Sequence, residues 1–154
     1  MNIVIVYATN SGSCFLVAEI LTNILSKKHN VTVQTAQHTK SSDLEKFDCI
    51  ILGSPSWSFE KHEGYPHEAM VALIQKAEKK DFSEKLFAIY GCGDTSYTFF
   101  CGAVDHLVDF VSKVGGKSII GPLRIDGYFF DPQKNNELVE KWARELLKKI
   151  ALGS

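Results

Sequence analysis

At 154 residues, with 45% hydrophobic and 23% charged side chains and a formal net charge of -1, the chain has the make-up of one ordinary water-soluble domain. It is long enough to bury roughly two-thirds of the surface its unfolded form exposes. Near-neutrality argues against nucleic acid, which needs a basic face. The first apolar run ends at Tyr7 and the first basic residue is Lys27, a pattern too short and too uncharged for a signal peptide or a membrane span.

Apolar runs rich in β-branched residues alternate with segments of helical period. Ile3 to Tyr7 is continuously apolar, as in a strand covered on both faces. From Ser13 to about Lys28, Phe15, Leu16, Val17, Ile20, Leu21, Ile24 and Leu25 predict a helix with one buried face. Val31 to Val33 alternates and reads as a strand nearer an edge, and Asp48 to Leu52 is the third strand. A helix is expected from about Pro66 to Lys79, with proline at its first turn. Leu86 to Tyr90 is the fourth strand, and a helix over 103–114 is stopped by Gly115-Gly116. Ser118 to Ile125 holds the fifth strand, bent or interrupted at Gly121-Pro122, where no ladder donor exists. A last helix from about Asn136 to Ile150 buries Leu138, Val139, Trp142, Leu146 and Ile150. This order predicts an α/β fold with a parallel sheet and helices on both faces. Only Ser54 to Pro66 is long enough without clear period to be a functional loop.

The four cysteines, Cys14, Cys49, Cys92 and Cys101, form no CxxC pair. Reduced thiols in a cytoplasmic protein are the economical expectation. His62 and His67 lack a converging third ligand in sequence, so no metal is expected.

In such a sheet, ligands bind at the carboxyl ends of the strands. Three segments meet there. Thr9 to Cys14 offers hydroxyls at Thr9, Ser11 and Ser13 together with the N–H groups of a helix start, an anion site that needs no charged side chain. No lysine follows its glycine, as a Walker loop would require, and no GxGxxG is present. After strand three, Gly53 to Ser58 places Trp57 on a loop end, and after strand four, Gly91 to Asp105 places Tyr97 on another. Exposed rings on adjacent loops are stabilised when something flat lies between them.

Together these loops resemble flavodoxin, over nearly the whole chain from Ile3 to Ile150. The most specific stretch is Gly-Cys-Gly-Asp-x-Ser-Tyr-x-x-Phe-Cys-Gly-Ala-Val-Asp over 91–105, followed by Leu123 to Gly127. The close spacing of Ile119 and Asp126 matches the short-chain members. The resemblance implies one flavodoxin-like domain over residues 1–152, a three-layer sandwich around a five-stranded parallel sheet of order 2-1-3-4-5. It implies a monomeric, low-potential one-electron carrier with non-covalent FMN, working between redox proteins such as a flavodoxin reductase or oxidoreductase, and not an enzyme. By the same resemblance, Thr9, Asn10, Ser11, Gly12, Ser13 and Cys14 surround the FMN phosphate. Pro55, Ser56, Trp57 and Ser58 lie on one side of the ribityl chain and ring. Cys92, Gly93, Asp94, Tyr97, Phe99, Phe100 and Cys101 line the other side, with Trp57 and Tyr97 covering the two ring faces.

Three departures from the family pattern carry expectations. Cys14 replaces the usual threonine, removing a hydroxyl donor worth about 1.5–3 kcal/mol to a charged acceptor. Ser58 stands where glycine is common, making a positive-φ conformer costlier by about 1 kcal/mol and the half-reduced flavin less favoured. The near-zero charge weakens steering towards a basic partner. The alternatives are a small FMN-dependent reductase or a ribonucleotide-reductase activating flavoprotein on the same fold, and a flavin-free binding module. A signalling receiver domain is set aside, since Ala8-Thr9 and Gly53-Ser54 occupy the places of its acidic residues.

Overall fold

The computed structural model describes residues 1–59, 62–93 and 100–153, with residues 57–59 and 62 described by their backbone alone. The strands are β1 (Asn2–Tyr7), β2 (Asn30–Thr35), β3 (Cys49–Phe59), β4 (His62–Pro66), β5 (Leu86–Gly93), β6 (Lys117–Ser118) and β7 (Leu123–Asp126). The α-helices are α1 (Ser13–Leu25), α2 (Ser41–Leu44), α3 (Glu68–Ala77), α4 (Gly102–Lys113) and α5 (Pro132–Gly153). Short 3-10 turns cover Ala36–His38 and Tyr128–Phe130.

β1 lies between β2 and β3, and β3 lies beside β5, all in parallel. β6 pairs with the start of β5 and β7 with its end. The expected fifth strand is therefore one line broken between Ser118 and Leu123, as Gly121-Pro122 predicted. The parallel order is the expected 2-1-3-4-5, counting β6 and β7 as one.

Side chains on a strand alternate between faces, and β1 uses both. Ile3, Ile5 and Tyr7 pack with Val17, Leu21, Trp142 and Leu146 of α1 and α5. Val4, Val6 and Ala8 pack with Leu73, Leu107 and Phe110 of α3 and α4. Full burial of each such Val, Leu or Ile contributes about 1.5–3 kcal/mol, which is why a continuous apolar run is stable only with a helical layer on each side. Trp142 belongs to this core, and its Nε1–H donates to the Gly121 carbonyl at 2.9 Å.

Several expectations need correction. The sheet among the described residues has seven strands, because the fifth is split into β6 and β7 and because Ser54 to Pro66 is no irregular loop but adds β4. β3 runs on past the parallel sheet and folds back antiparallel with β4, pairing Ser56 with Pro66 and Trp57 with Tyr65. The register then shifts, so that Phe59 faces His62. The extra residue falls on β4, where Gly64 has φ 79°, as a bulge glycine does. Pro66 accordingly ends a strand, and α3 starts at Glu68 with His67 as its cap. His67 Nδ1 accepts the Ala69 N–H at 3.1 Å. In α1 the buried stripe is Ser13, Cys14, Val17, Ala18, Leu21 and Leu25, while Phe15 is exposed against Tyr7. Leu138, expected in the core, is exposed as well. α2 carried too little period in four residues to be seen. No helix among the described residues is long and apolar enough to cross a membrane.

Candidate functional site

The carboxyl ends of β1, β3 and β5 converge on one edge of the sheet, and the first segment there is the turn from β1 into α1. Gly12 caps α1 with φ 97°, in the left-handed region where a side chain would be strained. Thr9 Oγ1 accepts the Gly12 N–H at 3.0 Å, closing the turn. Gly12 supplies no side-chain cap to α1, and the first turn holds no acidic residue. The N–H groups of Ser13, Cys14 and Phe15 therefore lack helical acceptors. Asn10 and Ser11 are exposed around them, and Thr9 and Gly12 are half-buried. The result is a neutral nest of donors with the positive end of a helix dipole behind it.

Cys14 itself turns inward. Its side chain is completely buried in the layer between the sheet and α1, so it offers the nest its N–H and not its thiol. Cys92, near the end of β5, belongs to the same buried layer. Burial pushes the Cys14 thiol well above the usual cysteine range. Tyr90, two residues before Cys92 on the same face of β5, donates its hydroxyl to the Cys14 carbonyl at 2.9 Å. Its ring lies so close to Gly53 that a Cβ there would come within 2.0 Å of it. Sequence reasoning treated Tyr90 as strand filling. The signal was available, since a tyrosine in an all-apolar parallel strand needs a partner for its hydroxyl.

The second segment is the outgoing part of β3, where Pro55 lies beside Cys92 in register. Ser54, fully buried, accepts the His67 N–H and donates to the Pro55 carbonyl, both at 2.9 Å. Ser56 Oγ accepts the Ala103 N–H at 3.1 Å, so it caps the start of α4. The β3–β4 hairpin rests on that start, with Gly64 against Gly102 and Tyr65 stacked on His106 at 4.2 Å between ring centroids. This hairpin carries Trp57. Its side chain and that of Ser58 lie outside the described residues, but the backbone of Ser58 is strand.

The third segment follows β5. Asp94, Tyr97 and Phe99 lie outside the described residues. Gly93 closes the strand, its carbonyl accepting the Gly127 N–H at 2.8 Å. Cys101 caps α4 with φ 49°, an uncommon conformation for a residue with a side chain. Its thiol faces the Gly91 and Ile125 carbonyls, each at 3.7 Å, and burial pushes it up to about 12. Arg124 holds the same corner, donating to the Cys101 carbonyl at 3.1 Å and to Asp105 at 2.7 Å. Phe100 is half-buried and packs towards α3 and α4. Of the residues expected at the site, the structure brings together Thr9 to Cys14, Pro55, Cys92 and Gly93. It turns Ser56 Oγ to the support of α4 and the Cys101 thiol to the Gly91 and Ile125 carbonyls.

The flavodoxin family model matches residues 5–142. The chain belongs to the flavodoxin family. It is 31% identical to the flavodoxin of Nitratidesulfovibrio vulgaris (strain Miyazaki F), over 92% of this chain and 94% of that one. Among solved structures it is similar to oxidised flavodoxin 2 from Bacillus cereus, with a TM-score of 0.87, 26% identity, and coverage of 97% and 99% of the two chains. A point variant of the Fusobacterium nucleatum flavodoxin, bound to flavin mononucleotide, matches at a TM-score of 0.81 and 26% identity, over 96% of each chain. Flavodoxins are electron-transfer proteins that carry FMN, and membership makes this chain a carrier and not an enzyme. The role implies redox partner proteins.

Proposed function

We propose that this chain, as one domain over residues 1–152, is a monomeric low-potential shuttle between redox proteins of the cytoplasm. FMN would sit across the three segments. The observation that carries this seating is the uncapped first turn of α1, where a phosphate finds three free N–H groups and a helix dipole. Thr9, Asn10, Ser11, Gly12, Ser13 and the Cys14 N–H would hold the phosphate. Pro55, Ser56, Trp57 and Ser58 would flank the ribityl chain and ring on the hairpin side, and Cys92, Gly93, Asp94, Tyr97, Phe99, Phe100 and Cys101 on the other. Ser56 and Cys101 act there through backbone, since their side-chain atoms are engaged elsewhere. The four thiols, all unpaired and buried, suit a reducing compartment.

Bound FMN supplies the one-electron chemistry, and the residues set its reference state. The nest of residues 9–14 contains no cation, so the phosphate charge is met by dipoles alone. Pro55 and Cys92 offer no charged group beside it. A second negative charge arriving in such a site is disfavoured by the first, which lowers the potential of the second electron. Each ~59 mV of lowering corresponds to about 1.4 kcal/mol in a one-electron step.

Spectroelectrochemical titration of the FMN-loaded protein checks this, with the second couple expected below that of free FMN. A second couple at or above the free value would refute the low-potential reading. Steady turnover of a quinone with a nicotinamide donor would point instead to a reductase. Failure of reduced protein to quench flavin fluorescence would overturn the seating itself.

A further inference from the structure

We propose that Phe129 and Phe130, an aromatic pair held on a clamped turn at the ligand edge of the sheet, anchor the docking of a redox partner that offers an apolar pocket with a cationic rim. Docking in this sense rests on the carrier role given above.

β7 runs parallel to β5 with Asp126 in register with Gly93, so the turn after β7 leaves the sheet at the edge where the FMN seat lies. The Gly127 N–H ties it there, donating to the Gly93 carbonyl at 2.8 Å. On this turn Phe129 is 52% and Phe130 86% exposed. Single exposed apolar residues are ordinary, but two adjacent rings present one continuous apolar surface that is unfavourable in water until something covers it.

The exposure does not come from slack chain. Asn135, in the first turn of α5, is buried, and its amide nitrogen donates to the Asp126 and Gly127 carbonyls at 3.4 Å and to the Tyr128 carbonyl at 3.2 Å. Tyr128 turns into the core, its hydroxyl donating to Asn136 Oδ1. Gly127 sits at φ 52°, and the Phe130 N–H returns to its carbonyl at 2.9 Å. The Phe130 ring lies so close over Gly127 that a Cβ there would come within 2.4 Å of it. Phe129 meets the Tyr128 ring edge-on, with 5.2 Å between centroids. Each ring is held on one side and open on the other. Rings fixed in this way lose little freedom on binding, and a few such anchors carry most of the energy of an interface.

The charges around the pair select the partner. Asp126 and Asp131 are exposed on either side of it, and no basic residue lies between Arg124 and Lys134. The Arg124 charge is met by Asp105 at 2.7 Å. Asp131 Oδ1 accepts the Lys134 N–H at 3.2 Å, which caps α5 and fixes the carboxylate beside Phe130. Lys134 is followed by exposed Glu137, so the rim is negative on balance. Its complement is apolar at the centre and cationic at the edge. A second copy of this chain would bring two negative rims together, which disfavours self-docking through the pair. With a whole-chain charge of -1, long-range steering adds little, and the affinity falls to the rings.

The test uses the FMN-loaded full chain, a purified NADPH-dependent flavodoxin reductase as partner, and dithionite as a reductant that needs no docking. Phe130→Ser, alone or with Phe129→Ser, should lower kcat/KM for reduction by the enzyme about tenfold or more, through KM, and Phe130→Leu should restore most of it. Dithionite reduction, the FMN dissociation constant and Tm should keep their parent values. Leu152→Ser removes a side chain 82% exposed near the start of β5, at the opposite edge of the sheet, and should change nothing. Asp131→Asn keeps the cap and should lessen the fall of kcat/KM with added salt. Unchanged kcat/KM in the double variant, an equal loss in Leu152→Ser, or self-association of the parent that Phe130→Ser abolishes would each overturn the proposal. A chain that takes up no FMN would instead overturn the carrier role. Calorimetric binding of the reductase to the apoprotein, lost in Phe130→Ser or not, would then still decide the docking.

Discussion

Replacing Gly102 by alanine tests whether the hairpin that bears Trp57 is held by contact with α4. A Cβ at Gly102 would lie 2.6 Å from the Gly64 carbonyl oxygen, 2.9 Å from its Cα and 3.1 Å from its carbonyl carbon. All three are backbone atoms, and Gly64 is itself fixed at φ 79° in a bulge, so no side chain can swing aside. Reaching ordinary contact near ~3.4 Å requires the hairpin to lift by about 0.8 Å from α4, a strain in the range of ~1–3 kcal/mol. Alanine in a first helical turn returns about 0.4–1 kcal/mol through reduced unfolded-state entropy, leaving a net loss of up to about 2 kcal/mol. For a chain of this size that lowers Tm by up to about 8 °C. Gly121→Ala is the matched control, because nothing lies within 4 Å of its would-be Cβ and its φ is unstrained. It should be neutral or slightly stabilising. Urea unfolding of the apoprotein reads the stability, and flavin-fluorescence titration reads the site, where Gly102→Ala should weaken FMN binding and Gly121→Ala should not. Equal stability for the two variants would refute the contact.

Tyr90→Phe removes the hydroxyl that braces Cys14, while the Cys14 carbonyl keeps its helical partner. A loss of about 1 kcal/mol is expected, together with weaker FMN binding, and unchanged denaturation midpoints would contradict the bracing role. Arg124→Ala removes the donor to the Cys101 carbonyl and the Asp105 pair together, for about 1–2 kcal/mol, whereas Asp105→Asn should cost less than about 1 kcal/mol because that carboxylate is exposed; equal losses would show the carbonyl bond to be unimportant. His29 has its pKa lowered, first by burial and then by the amino terminus and Lys28, and its Nδ1 has no partner among the described residues. Because the folded pKa lies below the unfolded one, its contribution is intact above about 6.5 and is lost as pH falls through the folded value. Urea midpoints measured from pH 8 to 5 should therefore decline less in His29→Gln than in the parent, and parallel declines would exclude His29 as the cause.

The layers were legible because they follow from period. β1 from Ile3 onward and the early part of β3 are continuously apolar, and such runs are stable only between two helical layers, so a parallel sheet followed directly. The interruption at Gly121-Pro122 was legible for an equally local reason, the missing donor of Pro122. The β3–β4 hairpin was hidden because its chain is Ser-Pro-Ser on one side and Gly-Tyr-Pro on the other. Apart from Tyr65, those residues have low strand propensity, and their pairing is supported by the long-range seat on α4 that Gly64 and Gly102 permit. No window of sequence contains both glycines.

The direction of Cys14 was the costliest thing to miss, and it was readable. Counting the nest as ending at residue 14 placed that side chain with the phosphate donors, and its thiol then looked like a lost hydroxyl. Counting the same residue as part of α1 puts it one turn before Val17 and Ala18 and two before Leu21, all of which are buried. Positions i, i+3, i+4 and i+7 share a helix face, so a side chain at 14 must enter the core once those three do. A helix that starts against a phosphate divides its first residues in this way: the N–H groups point along the axis to the anion, while the side chains already obey the stripe. A substitution in that turn therefore changes the packing beneath the nest before it changes the donors within it.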